Sequence, residues 1–325
     1  PNPRLTERPT ERRIEESNEG TYKEEAKKQE NTKKMQALIL RAVLLAHREQ
    51  RKHEGLTPQT PDINFKDMPV QLLRKHLRGI IVTANFDFSE ELDNLIESIL
   101  REEHKDRKLV NAIELKRTQG LPKIALWRGD ITTLKIGAIV NAANNQMLGC
   151  FQPSHICIDN VIHSKAGPRL RKECRSLMKG KQLPTGDARM TKAYLLPADH
   201  VVHTVGPVFQ GKLELGLLAK CYTNSLEVCV SQAVRSIAFC CISTGLFRYP
   251  KFEACSTAVK TVVAWLTRHP DKMDLVLFNT FDPQDQAIYQ KVLAKVASSE
   301  AAKALQKAML CIDNDRGDDD DESKQ

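Results

Sequence analysis

The chain is poor in aromatic residues: two Trp, five Tyr and ten Phe make up 5% of its 325 positions. No apolar run approaches the ~18–20 residues a helix needs to span a bilayer, so no membrane partner is expected. Pro1 to Gly20 contain no apolar stretch, so no secretory signal is expected there. The chain opens on Pro1 rather than Met, which leaves a removed leader open. Cysteine is too sparse for a disulfide-built scaffold. There are nine, an odd number, and Cys240 and Cys241 sit in an apolar run. That usage suits free thiols in the cytoplasm or another intracellular reducing compartment. With few aromatics and no alternation of Arg with them, a stacking platform for nucleic acid is not expected either. A 41% share of hydrophobic residues still supports a core, and the length allows about two domains of ~100–200 residues.

Charge is unevenly spread. The formal net charge is +8, but residues 1–120 are nearly balanced, with 23 basic and 21 acidic side chains. Residues 121–312 carry 24 basic against 13 acidic, and the stretch from Asp313 carries 2 against 7. The basic excess therefore belongs to the central part of the chain and suggests an anionic ligand, a solvated basic face being the plainer reading. Asp313–Gln325 reads as a disordered acidic tail.

Helical spacing of Met35, Leu38, Ile39, Ala42, Val43, Leu45 and Ala46 predicts a helix over roughly 22–54, ended by Gly55 and Pro58/Pro61. Residues 1–65 are expected to form a charged helical extension, partly disordered. A second helical segment, 66–120, carries Val70, Leu72, Leu73 and Leu77, then a helix capped by Ser89 with Glu90 and Glu91 in its first turn. His47, His53, His76 and His104 are scattered and read as surface or satisfied histidines. After Gly120 the texture changes. Short apolar runs at 124–127, 138–142, 193–196, 201–205, 237–242 and 275–278 alternate with helical stretches near 158–177, 214–234, 251–268 and 283–309. That alternation predicts a layered α/β domain over 121–312.

Loops at the carboxyl ends of strands carry ligands in such sheets, and four here hold unusual residues. Gly129-Asp130-Ile131-Thr132 is a turn with a helix cap or a polar contact. Asn141 to Asn145 leave a buried strand as side-chain amides, either in an Asx-turn or facing a ligand. Cys150, His155 and Cys157 form a C-x4-H-x-C cluster: three soft ligands that suit zinc with an open fourth position, or two buried thiols beside an incidental His. Asp159 follows at once, close enough to act on a hydroxyl or a water. Ser243-Thr244-Gly245-Leu246-Phe247 exposes successive backbone amides, a phosphate cradle that lacks the Lys of a Walker loop. His163 and His203 lie among apolar residues and read as structural, as do Cys240 and Cys241. Arg248 reads equally as a pyrophosphate neighbour or a surface residue.

Five strings in order make a pattern: Gly-Asp-Ile-Thr (129–132), Ile-Val-Asn-Ala-Ala-Asn (139–144), Leu-Pro-Thr-Gly-Asp-Ala (183–188), Val-Val-His-Thr-Val-Gly-Pro (201–207) and Ile-Ser-Thr-Gly-Leu-Phe-Arg-Tyr-Pro (242–250). Together they resemble the macrodomains, the ADP-ribose-binding α/β family, over roughly 123–300. The loop from Cys150 to Cys157 departs from the glycine-rich loop of ordinary hydrolytic members. With the Asp-Asn-x-Ile-His that follows, it is similar to the zinc-containing macrodomains of bacteria and fungi.

The resemblance implies a three-layer α/β/α fold with a mixed central sheet, preceded by a helical N-terminal extension packed on it. It implies a zinc-dependent protein mono-ADP-ribosyl hydrolase acting on ADP-ribose and mono-ADP-ribosylated protein. A non-catalytic ADP-ribose reader or an O-acetyl-ADP-ribose deacetylase is the alternative. Asp130 would accept from the adenine amino group, with the Ile131 amide nearby, and Phe281 would stack on adenine, Phe278 or Asn279 being the other candidates. The amides of Ser243, Thr244, Gly245, Leu246 and Phe247 would cradle the diphosphate. Asn144 would bind the distal ribose, and Cys150, His155 and Cys157 would hold Zn2+ beside it, with Asp159 at the reacting centre. A monomer is expected.

Overall fold

The computed structural model describes residues 9–57 and 65–318, with side chains over 24–57 and 65–309. The chain divides into two compact units: Pro1–Ile80 with Ser89–Ile99, and Ile81–Phe88 with Leu100–Gln325. Among the described residues no helix is long and apolar enough to cross a membrane.

The first unit is helical, built on α1 (Pro9–His53), most of α2 (Val70–Thr83) and most of α3 (Glu90–Lys105). α1 starts earlier than its apolar pattern suggested, because Glu and Lys are good helix formers and pair along it, as Lys34 with Glu30 at 2.6 Å. Its apolar positions Ile39, Ala42, Val43 and Ala46 are buried, as are Leu73 and Leu77 of α2 and Leu92 and Ile96 of α3. Ser89 caps α3, its Oγ accepting from the Leu92 amide at 3.2 Å. His47 and His76 satisfy each other, Nε2 to Nε2 at 2.9 Å, beside the Phe65 ring.

The second unit is the α/β domain. Its strands are β1 (Val110–Asn111), β2 (Arg117–Thr118), β3 (Leu121–Arg128), β4 (Leu134–Lys135), β5 (Ala138–Ala142), β6 (Ala188–Lys192), β7 (His200–Thr204), β8 (Ser236–Phe239) and β9 (Leu275–Thr280). Its helices are α4 (Ile158–Ala166), α5 (Pro168–Met178), α6 (Leu215–Ser231), α7 (Lys251–Arg268), α8 (Pro283–Ala297) and α9 (Glu300–Asp318). Seven strands form one sheet in the order β2-β3-β9-β8-β5-β7-β6, and β1 pairs separately with β4. From β3 to β7 every pairing is parallel, while β2 and β6 close the edges antiparallel, so the sheet is mixed.

Successive strand residues face opposite sides of a sheet. Ala138, Ile139, Val140 and Asn141 are all buried, as is every residue from Leu275 to Thr280. Both faces are therefore covered, the condition under which parallel strands read as unbroken apolar runs. α4 packs on β5 and α5 on β6, while α6 to α9 pack on one another and on β3 and β6–β9. This is the expected three-layer α/β/α arrangement.

Three elements differ from the sequence reading. The stretch 158–177 is two helices, because Gly167 turns the chain at φ +90° and Pro168 starts α5. The stretch 283–309 likewise breaks at Ser298, and α9 continues to Asp318, past the point where the acidic tail was expected to begin; 319–325 lie outside the described residues. The strand expected at 193–196 lies at 188–192, and Ala193 to Leu196 form a turn with Tyr194 at φ +56°. β6 is an edge strand covered less fully than its neighbours, so its sequence Ala-Arg-Met-Thr-Lys never shows the apolar run of a central strand.

Leu277 sits fully buried at the centre of β9. Leu277→Ala should lower unfolding free energy by ~2–5 kcal/mol in urea titration, whereas Leu177→Ala, at a 48% exposed position, should change it by less than ~0.5 kcal/mol.

Candidate active site

The parallel strands all end at one edge of the sheet, at Arg128, Ala142, Thr204, Phe239 and Thr280. The loops that leave this edge enclose a cavity of about 450 Å³. The side chains at its mouth and walls come from four of those strand ends.

The first wall follows β5. Asn141, fully buried, donates from Nδ2 to Asp159 Oδ1 at 2.8 Å. Asn144 does what both readings of its sequence allowed: its Oδ1 accepts from the Gln146 amide in an Asx-turn and its Nδ2 donates to Gly149 O, while the residue lines the cavity. The chain then brings Cys150, His155 and Cys157 together. Cys150 Sγ lies 3.2 Å from His155 Nδ1, and the three ligand atoms fall within 4.8 Å of one another. Cys157 caps α4, its Sγ accepting from the Asn160 amide at 3.4 Å. The Asn160 side chain donates to Gln152 O and His155 O at 2.7 and 2.8 Å, tying the loop to the first turn of the helix.

These residues fit a zinc ion by their chemistry. Two thiols and an imidazole are its usual soft ligands. One thiol, that of Cys157, stands at a helix N-terminus, which favours the thiolate, while its burial pushes that thiol up. All three line the cavity, so a fourth ligand would come from there. Asp159, 5% exposed, lines the same wall. Burial raises its carboxyl to about 6, against the pull of the Asn141 amide and the Arg171 charge.

The second wall follows β8. Within 240–249 the amides of Thr244, Arg248 and Tyr249 close turns onto Cys241, Gly245 and Ser243 carbonyls. Among the described residues the amides of Ser243, Gly245, Leu246 and Phe247 make no such bond. A run of unspent amides is an anion-binding concavity. Gly206, beside it on the cavity wall, has no alternative: a Cβ there would fall 2.1 Å from Ser243 Oγ and 2.8 Å from Ile242 Cγ2.

The third group follows β9. Phe281 is 79% exposed at the rim, and Asn279 reaches across to Gly129 O at 3.0 Å. Phe278 is buried against Tyr289 in the core, so Phe281 and Asn279 are the cavity residues of that segment. Asp285 also lines the cavity, paired at 2.9 Å with Lys251, which pairs in turn with Asp282 at the start of α8. Asp130 and Ile131 stand just outside this lining. Asp130 caps a 3-10 turn through the Thr132 amide and meets Lys165 at 2.5 Å and Arg107 at 3.4 Å. Burial would raise its carboxyl, but Lys165 and Thr132 outweigh burial and hold it below the usual range.

The Macro domain family profile matches residues 140–258, the span that builds the first two walls. A protein-ADP-ribose hydrolase of Treponema medium is 44% identical over 213 residues, covering 63% of this chain and 81% of that protein. One from Staphylococcus aureus (strain MRSA252) is 42% identical, covering 63% and 77%. The chain belongs to the macrodomain family. In the same fold, a Trypanosoma brucei macrodomain solved in complex with ADP-ribose is 33% identical with a TM-score of 0.53, covering 66% of this chain and 94% of that one.

In this macrodomain, then, Asn144, the three candidate ligands, Asp159, 243–247 and Phe281 share one cavity. Gly206, Asn279 and Asp285 also line it; Gly206 and Asp285 were not singled out from sequence, nor was Asn160, which ties the 150–157 loop to α4 from outside that lining. Asn160 carried a signal, being an Asn beside a helix start; Asp285 reads as any acidic first-turn residue.

His163 and His203 lie behind the cavity. His203 is fully buried, Nδ1 3.2 Å from Asn141 Nδ2 and Nε2 3.0 Å from Thr191 Oγ1, with Cys174 Sγ at 3.7 Å and the His163 ring 6.1 Å away. Burial lowers its pKa to about 3. The unfolded chain takes up the proton near pH ~6.5 and the folded one refuses it, so stability is lost as pH falls below that value. Asp159, raised by burial, acts in the opposite direction in wild type and variant alike. Between pH 7 and 5 wild type should lose about 2 kcal/mol more than His203→Gln in denaturant titrations; parallel pH curves would exclude a buried neutral His203.

Proposed function

We propose that this macrodomain is a zinc-dependent protein mono-ADP-ribosyl hydrolase, which binds ADP-ribose attached to a protein and cleaves the bond between the distal ribose and that protein. What carries the reading is the single cavity in which the Cys150/His155/Cys157 cluster and Asp159 stand beside the unspent amides of the 243–247 loop. The names borne by the Treponema and Staphylococcus relatives support the hydrolase, and the ADP-ribose complex of the Trypanosoma relative supports the ligand.

The residues suggest a division of labour. The amides of Gly245, Leu246 and Phe247 donate to the diphosphate, with those of Ser243 and Thr244 flanking them, the latter already turned onto Cys241 O. The exposed Phe281 ring covers the adenine, with Asp130 and the Ile131 amide beyond it. Asn144 meets the distal ribose. Cys150, His155 and Cys157 would hold a zinc ion, which would supply Lewis-acid polarisation of an oxygen. Asp159 faces the anomeric carbon. When the bond from that carbon to the protein breaks through an oxocarbenium-like state, the side chain of the protein leaves with the bonding electron pair. Water forms the new C–O bond, and Asp159 takes the water's proton and passes it to the leaving side chain. Asn141 pins the Asp159 carboxyl for this task. The basic excess on 121–312 then serves the protein that carries the modification, since backbone amides hold the diphosphate.

The sparse, odd number of cysteines suits free thiols, and on that ground we place the protein in the cytoplasm or another intracellular reducing compartment. A reader without catalysis has no use for an open metal position, which favours the enzyme.

Incubation with proteins carrying ADP-ribose on Ser, Asp/Glu or Arg, with and without a chelator, tests the reading. Wild type should release ADP-ribose from at least one linkage. Cys157→Ala should lose both zinc and release, and undiminished release by verified metal-free Cys157→Ala would remove zinc from the mechanism. Asp159→Asn should keep zinc and ADP-ribose binding while kcat drops ~10²–10⁴-fold; binding without release from any linkage would make the protein a reader.

A further inference from the structure

Arg171, on α5, reaches the candidate metal loop, and its surroundings are unusual for a charged side chain. It is 6% exposed. Its Nε donates to Leu148 O at 2.7 Å, Nη1 to Ile81 O and Ala84 O at 2.7 and 2.8 Å, and Nη2 to Val82 O at 2.9 Å. Its Cζ lies 5.0 Å from the centroid of the Phe151 ring. Carbonyls and an aromatic face take all of these contacts. The planar fork of Arg spreads five donors in fixed directions over three nitrogens, where an ammonium has three on one nitrogen, so four separate carbonyls suit Arg.

The loop it touches is held in a costly conformation. Met147, Gly149 and Phe151 have φ of +59°, +97° and +56°. For Met and Phe this left-handed region is disfavoured and persists only where the surroundings over-determine it. Leu148 and Phe151, the residues Arg171 grips, bracket Gly149 and Cys150. A Cβ on Gly149 would lie 3.2 Å from Arg171 Nη2, so the guanidinium closes directly over that glycine.

We propose that Arg171 is a positioning residue for the metal loop: by fastening Leu148 and Phe151 to the carbonyls of Ile81, Val82 and Ala84, it holds Cys150 at the distance from His155 and Cys157 that one ion requires. The inference rests on the zinc reading above. Two of the other cations on α5 supply the control. Lys172 donates to Phe88 O at 2.5 Å, and Arg175 donates to Asn85 O at 3.1 Å and pairs with Asp87, so both fasten 81–88 at contacts away from 148–151. Loss of Arg175 loosens the same segment without releasing the metal loop.

The test is the rate at which zinc passes from purified protein to a chromophoric chelator. Outer contacts that orient metal ligands are worth ~10–100-fold in metal affinity. Arg171→Lys should release zinc at least ~10-fold faster than wild type, Phe151→Ala should accelerate release less, and Arg175→Ala should match wild type. Equal release from wild type, Arg171→Lys and Phe151→Ala overturns the proposal, as does Arg175→Ala releasing as fast as Arg171→Lys. If Arg171→Lys does not fold, Phe151→Ala carries the decision, because that half-buried ring can be removed without opening the core. Wild type that binds no zinc overturns both this proposal and the zinc reading; wild type that binds it while the variants behave alike overturns only the role of Arg171.

Discussion

The parallel pairing of β5 with β8 is the constraint on which the site depends. β5 continues to β7 on one side of itself, and the chain later returns to lay β8 and then β9 on the other. The connection leaving β5 runs to α4 and the one leaving β8 runs to α7, which belong to different helical groups. The two loops therefore part at the carboxyl edge and leave a crevice between them, as open α/β sheets do where strand order reverses. Cys150 to Asp159 stand on one side of that crevice and the 243–247 amides on the other.

Such a crevice is useful only if polar groups beneath it stay put, and here they are fixed by bonds inside the core. Asn141 in mid-strand joins Asp159 and His203; His203 joins Thr191. Each bond removes the penalty of a buried polar group without a partner, ~1–3 kcal/mol where it is left unmade. Arg171 does the same for a buried charge with four carbonyls. The rigid rear of the cavity and the strained 147–151 loop at its front are thus two parts of one arrangement.

Much of this was legible in the chain. Central strands such as 138–142 and 275–280, buried on both faces, announce themselves through the apolar runs 138–140 and 275–278. The Cys/His/Cys spacing, Asp159, Asn144 and the Ser-Thr-Gly turn point to their chemistry because short-range spacing decides whether such groups can meet. The edge strand 188–192 was missed because half-covered strands lack that run. Arg171 was missed for another reason: its partners lie some ninety residues earlier, at 81–84, and nothing local marks an arginine destined for burial. Asp130 shows a further limit, since its cap was readable while its pairing with Lys165, on a different helix, was not.

The central claim is that one ion bridges Cys150, His155 and Cys157 in the folded protein. Zinc K-edge X-ray absorption of the purified chain tests it most directly. Two sulfur ligands at ~2.3 Å and a nitrogen at ~2.0–2.1 Å, falling to one sulfur or no bound zinc in Cys157→Ala, is the predicted result. A shell of nitrogen and oxygen alone, or no zinc in the wild-type protein, would contradict it.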